Sequence, residues 1–96
     1  MKVEYTNRAT RDLLNIASIS RQQFGDSAAA EIEQLVRKLV EQIRANPRSR
    51  PNVVGRPQVH VAALVRYPFK MFYRVLEDRI RILHVRHTSQ RPWEGN

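Results

Sequence analysis

Residues 67–87 read Tyr67-Pro68-Phe69-Lys70-Met71-Phe72-Tyr73-Arg74-Val75-Leu76-Glu77-Asp78-Arg79-Ile80-Arg81-Ile82-Leu83-His84-Val85-Arg86-His87. Apolar and polar residues alternate on both sides of Glu77-Asp78, the pattern of two half-buried strands joined by a tight turn. Pro68 stands near the start of the first strand, 67–76, where a missing N–H is tolerated. Successive side chains point to opposite faces of a strand. Regular strands would therefore set Phe69, Met71, Tyr73 and Val75 against Pro68, Lys70, Phe72 and Arg74. In the second strand, 79–86, they would set Arg81, Leu83, Val85 and the terminal His87 against Ile80, Ile82, His84 and Arg86. Met71, Tyr73, Val75, Leu83 and Val85 are then expected in the core. Lys70, Phe72, Arg74, His84 and Arg86 are expected together on the other face.

Moving toward the N-terminus, Val59–Val65 is a further strand candidate. Residues 46–58 contain Pro47, Pro51, Pro57 and Gly55 without a period, and read as a loop. Before that loop the period is helical. Ala9, Leu13, Ile16, Ala17, Ser20 and Phe24 recur at three- and four-residue steps over 7–23, and Ala28, Ile32, Leu35, Val36, Leu39 and Ile43 do so over 26–45. Thr6 or Asn7 can cap the first helix and Asp26 the second. Gly25 between them makes a helical hairpin, and Asn46-Pro47 ends it. Lys2–Tyr5 alternates as a short strand. The expected fold is α+β with the order β-αα-βββ, the helical hairpin packed on a small, mainly antiparallel sheet, followed by an irregular tail over 88–96.

The chain has 96 residues, so it is expected to be one domain, 1–96. It has no cysteine, which excludes disulfides and thiolate metal sites. No apolar run approaches the roughly 18–20 residues of a membrane span. The N-terminal residues lack the apolar segment of a secretory signal, so a cytoplasmic protein is expected. The net charge is +8. Residues 1–48 carry eight Lys or Arg and six Asp or Glu, whereas residues 49–96 carry nine and three. Such an excess implies an anionic partner, although a basic surface also keeps a small protein soluble.

Two readings of the face with Lys70, Phe72, Arg74, His84 and Arg86 are open. It suits an RNA or phosphate ligand, because cations neutralise phosphate and a ring can stack a base. It also suits a solvated outer sheet face. His84 and His87 are three apart, hence on opposite faces of a regular strand, and no metal or other cofactor is expected there. Either imidazole could act as an acid or base, or could be a structural histidine. No nucleophile elbow, Walker loop or HExxH occurs. Trp93 is a candidate anchor for the tail or a partner contact.

The run from Arg66 to Val75, the acidic turn Glu77-Asp78 and the run from Ile80 to His87 resemble the RelE/ParE toxin superfamily. Ala9 with Asp12-Leu13, Gly25 with Ala28–Ala30, Asn46-Pro47 and Gly55-Arg56 extend the resemblance to about residue 92. It implies the toxin component of a type II toxin–antitoxin pair, neutralised by a small antitoxin whose C-terminal segment is acidic. It also implies one of two targets. RelE-like members cut mRNA on the ribosome. In that case Lys70 falls where such toxins carry a catalytic arginine, and Lys70, Arg74, Arg86 and His87 would be the catalytic set. Lys70 and Arg86 would stabilise charge, with His87 as acid or base. ParE-like members poison DNA gyrase by binding and need no catalytic residue. Thr88, Ser89 and Gln90 occupy the positions of the RelE-like catalytic His or Tyr, and Arg48, Arg50 and Arg56 only approximate the mRNA-binding residues. The resemblance therefore favours the ParE-like branch. The alternatives are the endonuclease and a non-toxic nucleic-acid-binding module.

Overall fold

The computed structural model describes residues 1–88. The chain runs β1 (Lys2–Tyr5), α1 (Asn7–Phe24), α2 (Asp26–Ala45), β2 (Asn52–Val53), β3 (Arg56–Ala63), β4 (Phe69–Val75) and β5 (Arg79–His87). The strands form one sheet in the order β1-β5-β4-β3-β2. β1 runs parallel to β5, and the other neighbours are antiparallel. This is the expected helical hairpin on a mainly antiparallel sheet, with one strand more. Asn52–Val53 lies in the segment read as a loop, and turns through Val54-Gly55 to pair Val53 with Arg56. Gly55 has φ 81°, a conformation that glycine adopts without steric penalty. The expected tail, with Trp93 in it, lies outside the described residues apart from Thr88. Among the described residues no helix is long and apolar enough to cross a membrane.

Thr6 begins α1, its hydroxyl accepting from the Ala9 N–H at 3.0 Å. Gly25 ends it, with its N–H on the Arg21 carbonyl at 3.1 Å. Asp26 does not cap α2 as expected. Gly25 takes the cap position, and Asp26 is the first helical residue, paired with Arg21 at 3.4 Å. Ala9 and Ile16 of α1 and Ile32, Leu39, Val40 and Ile43 of α2 are buried against the sheet. Phe24, expected in the stripe, is about half exposed and tilts against Tyr67, with centroids 6.3 Å apart. Tyr73 is fully buried and donates its hydroxyl to the Pro47 carbonyl at 2.7 Å, tying the end of the helical hairpin to β4.

The expected alternation in the last strand does not hold. Phe72 pairs with His84, but Tyr73 pairs with Ile82, so Leu83 is an extra residue bulged from β5. Ile80 and Ile82 face the core instead of the outer face, Val85 joins them, and Leu83 is only half-buried. A regular strand could bury Leu83 with Val85, or Ile80 with Ile82, but not all three β-branched residues. The bulge thus buries one more large side chain, a gain of about 1.5–3 kcal/mol.

The backbone groups displaced at the bulge still find partners, because β1 gives way to α1 at that level. The Thr6 N–H donates to the Ile82 carbonyl at 3.1 Å, the Thr6 hydroxyl donates to the Leu83 carbonyl at 2.6 Å, and an Asp12 carboxylate oxygen accepts from the Val85 N–H at 3.1 Å. Helix α1 therefore closes the edge of β5 where β1 stops.

Candidate functional site

The face of the sheet away from the helices is built on the register of β3, β4 and β5. Lys70 pairs with Arg86, Phe72 with His84 and Arg74 with Arg81. These positions alternate with the buried Met71 and Tyr73, so they share the outer face. The structure thus brings Lys70, Phe72, Arg74, His84 and Arg86 together. It also adds Arg81, which alternation through a regular β5 had assigned to the core side.

The five residues do not form a uniform cationic surface. Lys70 is exposed, and Arg74 and Arg86 are half-buried. Phe72 and His84, expected at the surface, are 6% and 1% exposed. Their rings stack with centroids 4.5 Å apart and planes 8° from parallel. Burial first, and then the charges of Arg8 and Arg86, lower the His84 pKa from 6.5 to about 4. The imidazole is therefore neutral at pH 7 and packed within the face. Neither ring presents itself for stacking a base.

His87 stands elsewhere. It pairs with Phe69, a core residue, and meets that ring edge-on at 5.4 Å. It lines a groove beside α1 with Arg8, Asp12, Ile16, Ile19 and Arg86. Of the candidate catalytic set, Lys70 and Arg74 lie on the outer face and His87 on the helical side, while Arg86 pairs with Lys70 and also lines the groove of His87. Trp93 lies outside the described residues. His60, a residue without an expected role, is buried on the core face. It stacks on Tyr73 at 5.1 Å, with Nδ1 2.9 Å from the Arg50 carbonyl oxygen. Among the described residues no three His, Cys, Asp or Glu side chains cluster so as to hold a metal.

Two features were beyond the sequence. Glu4 of β1 accepts from both Arg79 and Arg81 at 2.8 Å, and hydrogen bonds from Arg81 and then Arg79 hold its carboxyl below the ordinary value. This neutralises one end of the outer face. At the β3 side, a cleft of about 570 Å³ opens between the start of α1 and the β2–β3 turn. Thr6, Arg8, Gln58, Val59, Arg74 and Leu83 are among its walls. Arg74 donates to the Gln58 side-chain oxygen at 2.6 Å. No strand periodicity could place Arg8 there, because it arrives on a helix.

The family model of the ParE toxin of type II toxin–antitoxin systems (parDE) matches residues 3–92. No curated protein matches the sequence. Among solved structures, the chain is similar to one of the chromosomal ParDE toxin–antitoxin system from P. aeruginosa, with TM-score 0.80 and 23% identity over 93% of this chain and 97% of that one. It is also similar to the isolated E. coli RelE toxin, with TM-score 0.63 and 19% identity over 94% and 86% of the two chains. A chain of the intact E. coli RelBE toxin–antitoxin complex gives TM-score 0.62 and 22% identity over 94% and 98%. At these identities the structural likeness concerns the fold.

Proposed function

The chain belongs to the ParE toxin family of type II toxin–antitoxin systems, and from that premise we propose that it acts in the cytoplasm by binding DNA gyrase, without catalysis, until a cognate antitoxin covers its cationic outer face. The observation that carries the choice of target is the division of the candidate catalytic set. An acid or base must reach the same substrate atoms as the groups that stabilise charge. Lys70 and Arg74 lie on the outer face, whereas His87 rests against Phe69 in a groove beside α1 that Arg86 alone of the candidate cations also lines, and His84 is buried and neutral. An inhibitor that works by binding needs no such convergence.

The antitoxin follows from the family and from charge. One similar structure belongs to a ParDE system and another to a RelBE complex. The net charge of +8 suits an acidic, amphipathic segment, steered by its charge and held by apolar contacts.

Purified toxin is expected to block gyrase supercoiling or to accumulate cleaved DNA, and co-purified antitoxin to reverse the effect. Full gyrase activity at excess toxin would overturn the assignment. Toeprinting on translating ribosomes separates the endonuclease. Codon-linked cuts that disappear in Arg86→Ala and His87→Ala would replace gyrase inhibition by mRNA cleavage.

A further inference from the structure

The cleft between α1 and the β2–β3 turn gathers positive charge. Arg8 enters it from the first turn of α1, Arg56 from the start of β3 and Arg74 from β4. No Asp or Glu is among the described residues that line it. Elsewhere several arginines are matched by carboxylates, either between elements or within α2. Arg79 and Arg81 meet Glu4, Arg66 meets Glu31, Arg37 meets Glu33 and Arg44 meets Glu41. Among the described residues, Arg8 and Arg74 form no ion pair with a carboxylate. Arg74 is instead oriented by Gln58 at 2.6 Å, a neutral acceptor that fixes the guanidinium without cancelling its charge. The charge of Arg8 also bears on His84, another wall of the cleft, and helps to keep it neutral.

Like charges gathered around one opening repel, and a bound anion relieves that repulsion. The cations that line the cleft are arginines, whose planar fork matches phosphate oxygens in pairs. The cleft is of a size that takes a nucleotide-sized group. From it a cationic row continues on the outer face of β4. Arg74 and Lys70 are four residues apart on one side of the strand, about 13 Å by strand rise. An evenly charged backbone matches such a row better than a compact acid does. We propose that this cleft is a phosphate-binding site in which Arg8 and Arg74 hold the backbone of a nucleic-acid strand. The inference does not depend on the target of the toxin, because the test contains neither gyrase nor ribosome.

The full-length protein is titrated against a fluorescein-labelled single-stranded oligonucleotide of about a dozen nucleotides. Anisotropy is read at several salt concentrations. Each phosphate contact on a single strand contributes about 0.7 to the slope of log K against log salt, so losing one weakens binding about fivefold at about 0.1 M salt. Arg8→Gln and Arg74→Gln are each expected to show that loss and a slope shallower by about 0.7. Lys38→Gln removes the same charge from an exposed position of α2 and is expected to change affinity less than about twofold. Equal losses in all three variants would reduce the effect to net charge and overturn the site. So would a polyglutamate peptide of matching charge that binds as tightly as the oligonucleotide, since the cleft would then be a docking site for an acidic peptide. Arg8 is exposed, so its variant keeps the test valid if Arg74→Gln unfolds.

Discussion

His84 makes the burial of the outer face measurable through pH. Its pKa is lowered from 6.5 to about 4, chiefly by burial and secondly by Arg8 and Arg86. The folded protein therefore holds this proton less tightly than the unfolded chain does. Between pH 6.5 and about 4 the unfolded state binds more protons, so stability falls as pH falls, beginning near 6.5 and levelling off near 4. At about 1.36 kcal/mol per pH unit the full effect is at most about 3 kcal/mol, and the part between about pH 7 and about pH 5 is about 2 kcal/mol. For a domain of this size that lowers the melting temperature by about 8–16 °C. Urea denaturation of the wild type and of His84→Phe at these two pH values isolates the effect, because phenylalanine retains a flat ring against Phe72 and has no proton to gain. The wild type is expected to lose about 2 kcal/mol more than the variant. Equal losses in the two proteins, or an NMR titration of the His84 ring with its midpoint above pH 6, would refute the reasoning.

Asp12→Ala removes the acceptor for the Val85 N–H and is expected to destabilise by about 1.5–2 kcal/mol. Asp12→Asn should restore most of that, with hydrogen exchange at Val85 fast only in the alanine variant. Ser20 is fully buried and its hydroxyl has no hydrogen-bond partner among the described residues, so Ser20→Ala should be neutral to stabilising by up to about 1 kcal/mol in a thermal melt. Glu31 accepts from Tyr67 and Arg66, which together hold its carboxyl below 4.5. Its contribution is present above pH 4.5 and is lost as pH falls through the lower folded value, so Glu31→Gln should flatten the acid limb of the stability curve.

The two helices were legible because their apolar stripes repeat over four turns or more, and local period alone fixes which side is buried. The β4–β5 hairpin was legible because Glu77-Asp78 interrupts two alternating runs, and the Leu76 N–H does bond the Arg79 carbonyl, at 2.8 Å. The bulge at Leu83 was not. The groups that make it tolerable, Thr6 and Asp12, stand 77 and 73 residues from their partners in sequence. Alternation within β5 carries no trace of them. β2 was hidden by prolines that read as a loop, and the contact across its turn, the Asn52 side chain donating to the Pro57 carbonyl at 2.5 Å, follows no period. In the site, Lys70 and Arg74 were legible from the regular half of β4. The burial of Phe72 and His84 was not, since alternation assigns a face and says nothing of what covers it.

The carboxylates explain why the positive charge remains available on one side. Glu4 joins β1 to β5, Asp12 joins α1 to β5, and Glu31 joins α2 to the turn before β4. Each of these acids is engaged inside the fold, between elements distant in sequence. The turn that Glu31 holds includes Arg66 at φ 74°, a left-handed conformation unusual for a side chain of that size, and the contact to Glu31 helps to keep it there. An anionic partner approaching Lys70, Arg74 or Arg8 therefore meets cations that pair with no carboxylate among the described residues, and none of these fastenings has to open for it to bind. Had Glu4 or Glu31 been set among those cations instead, association would compete with folding for the same charges. The arrangement separates the acids that maintain the fold from the cations left to recognise a partner, which is what a toxin must do if it is to stay folded both when its antitoxin is bound and when it is gone.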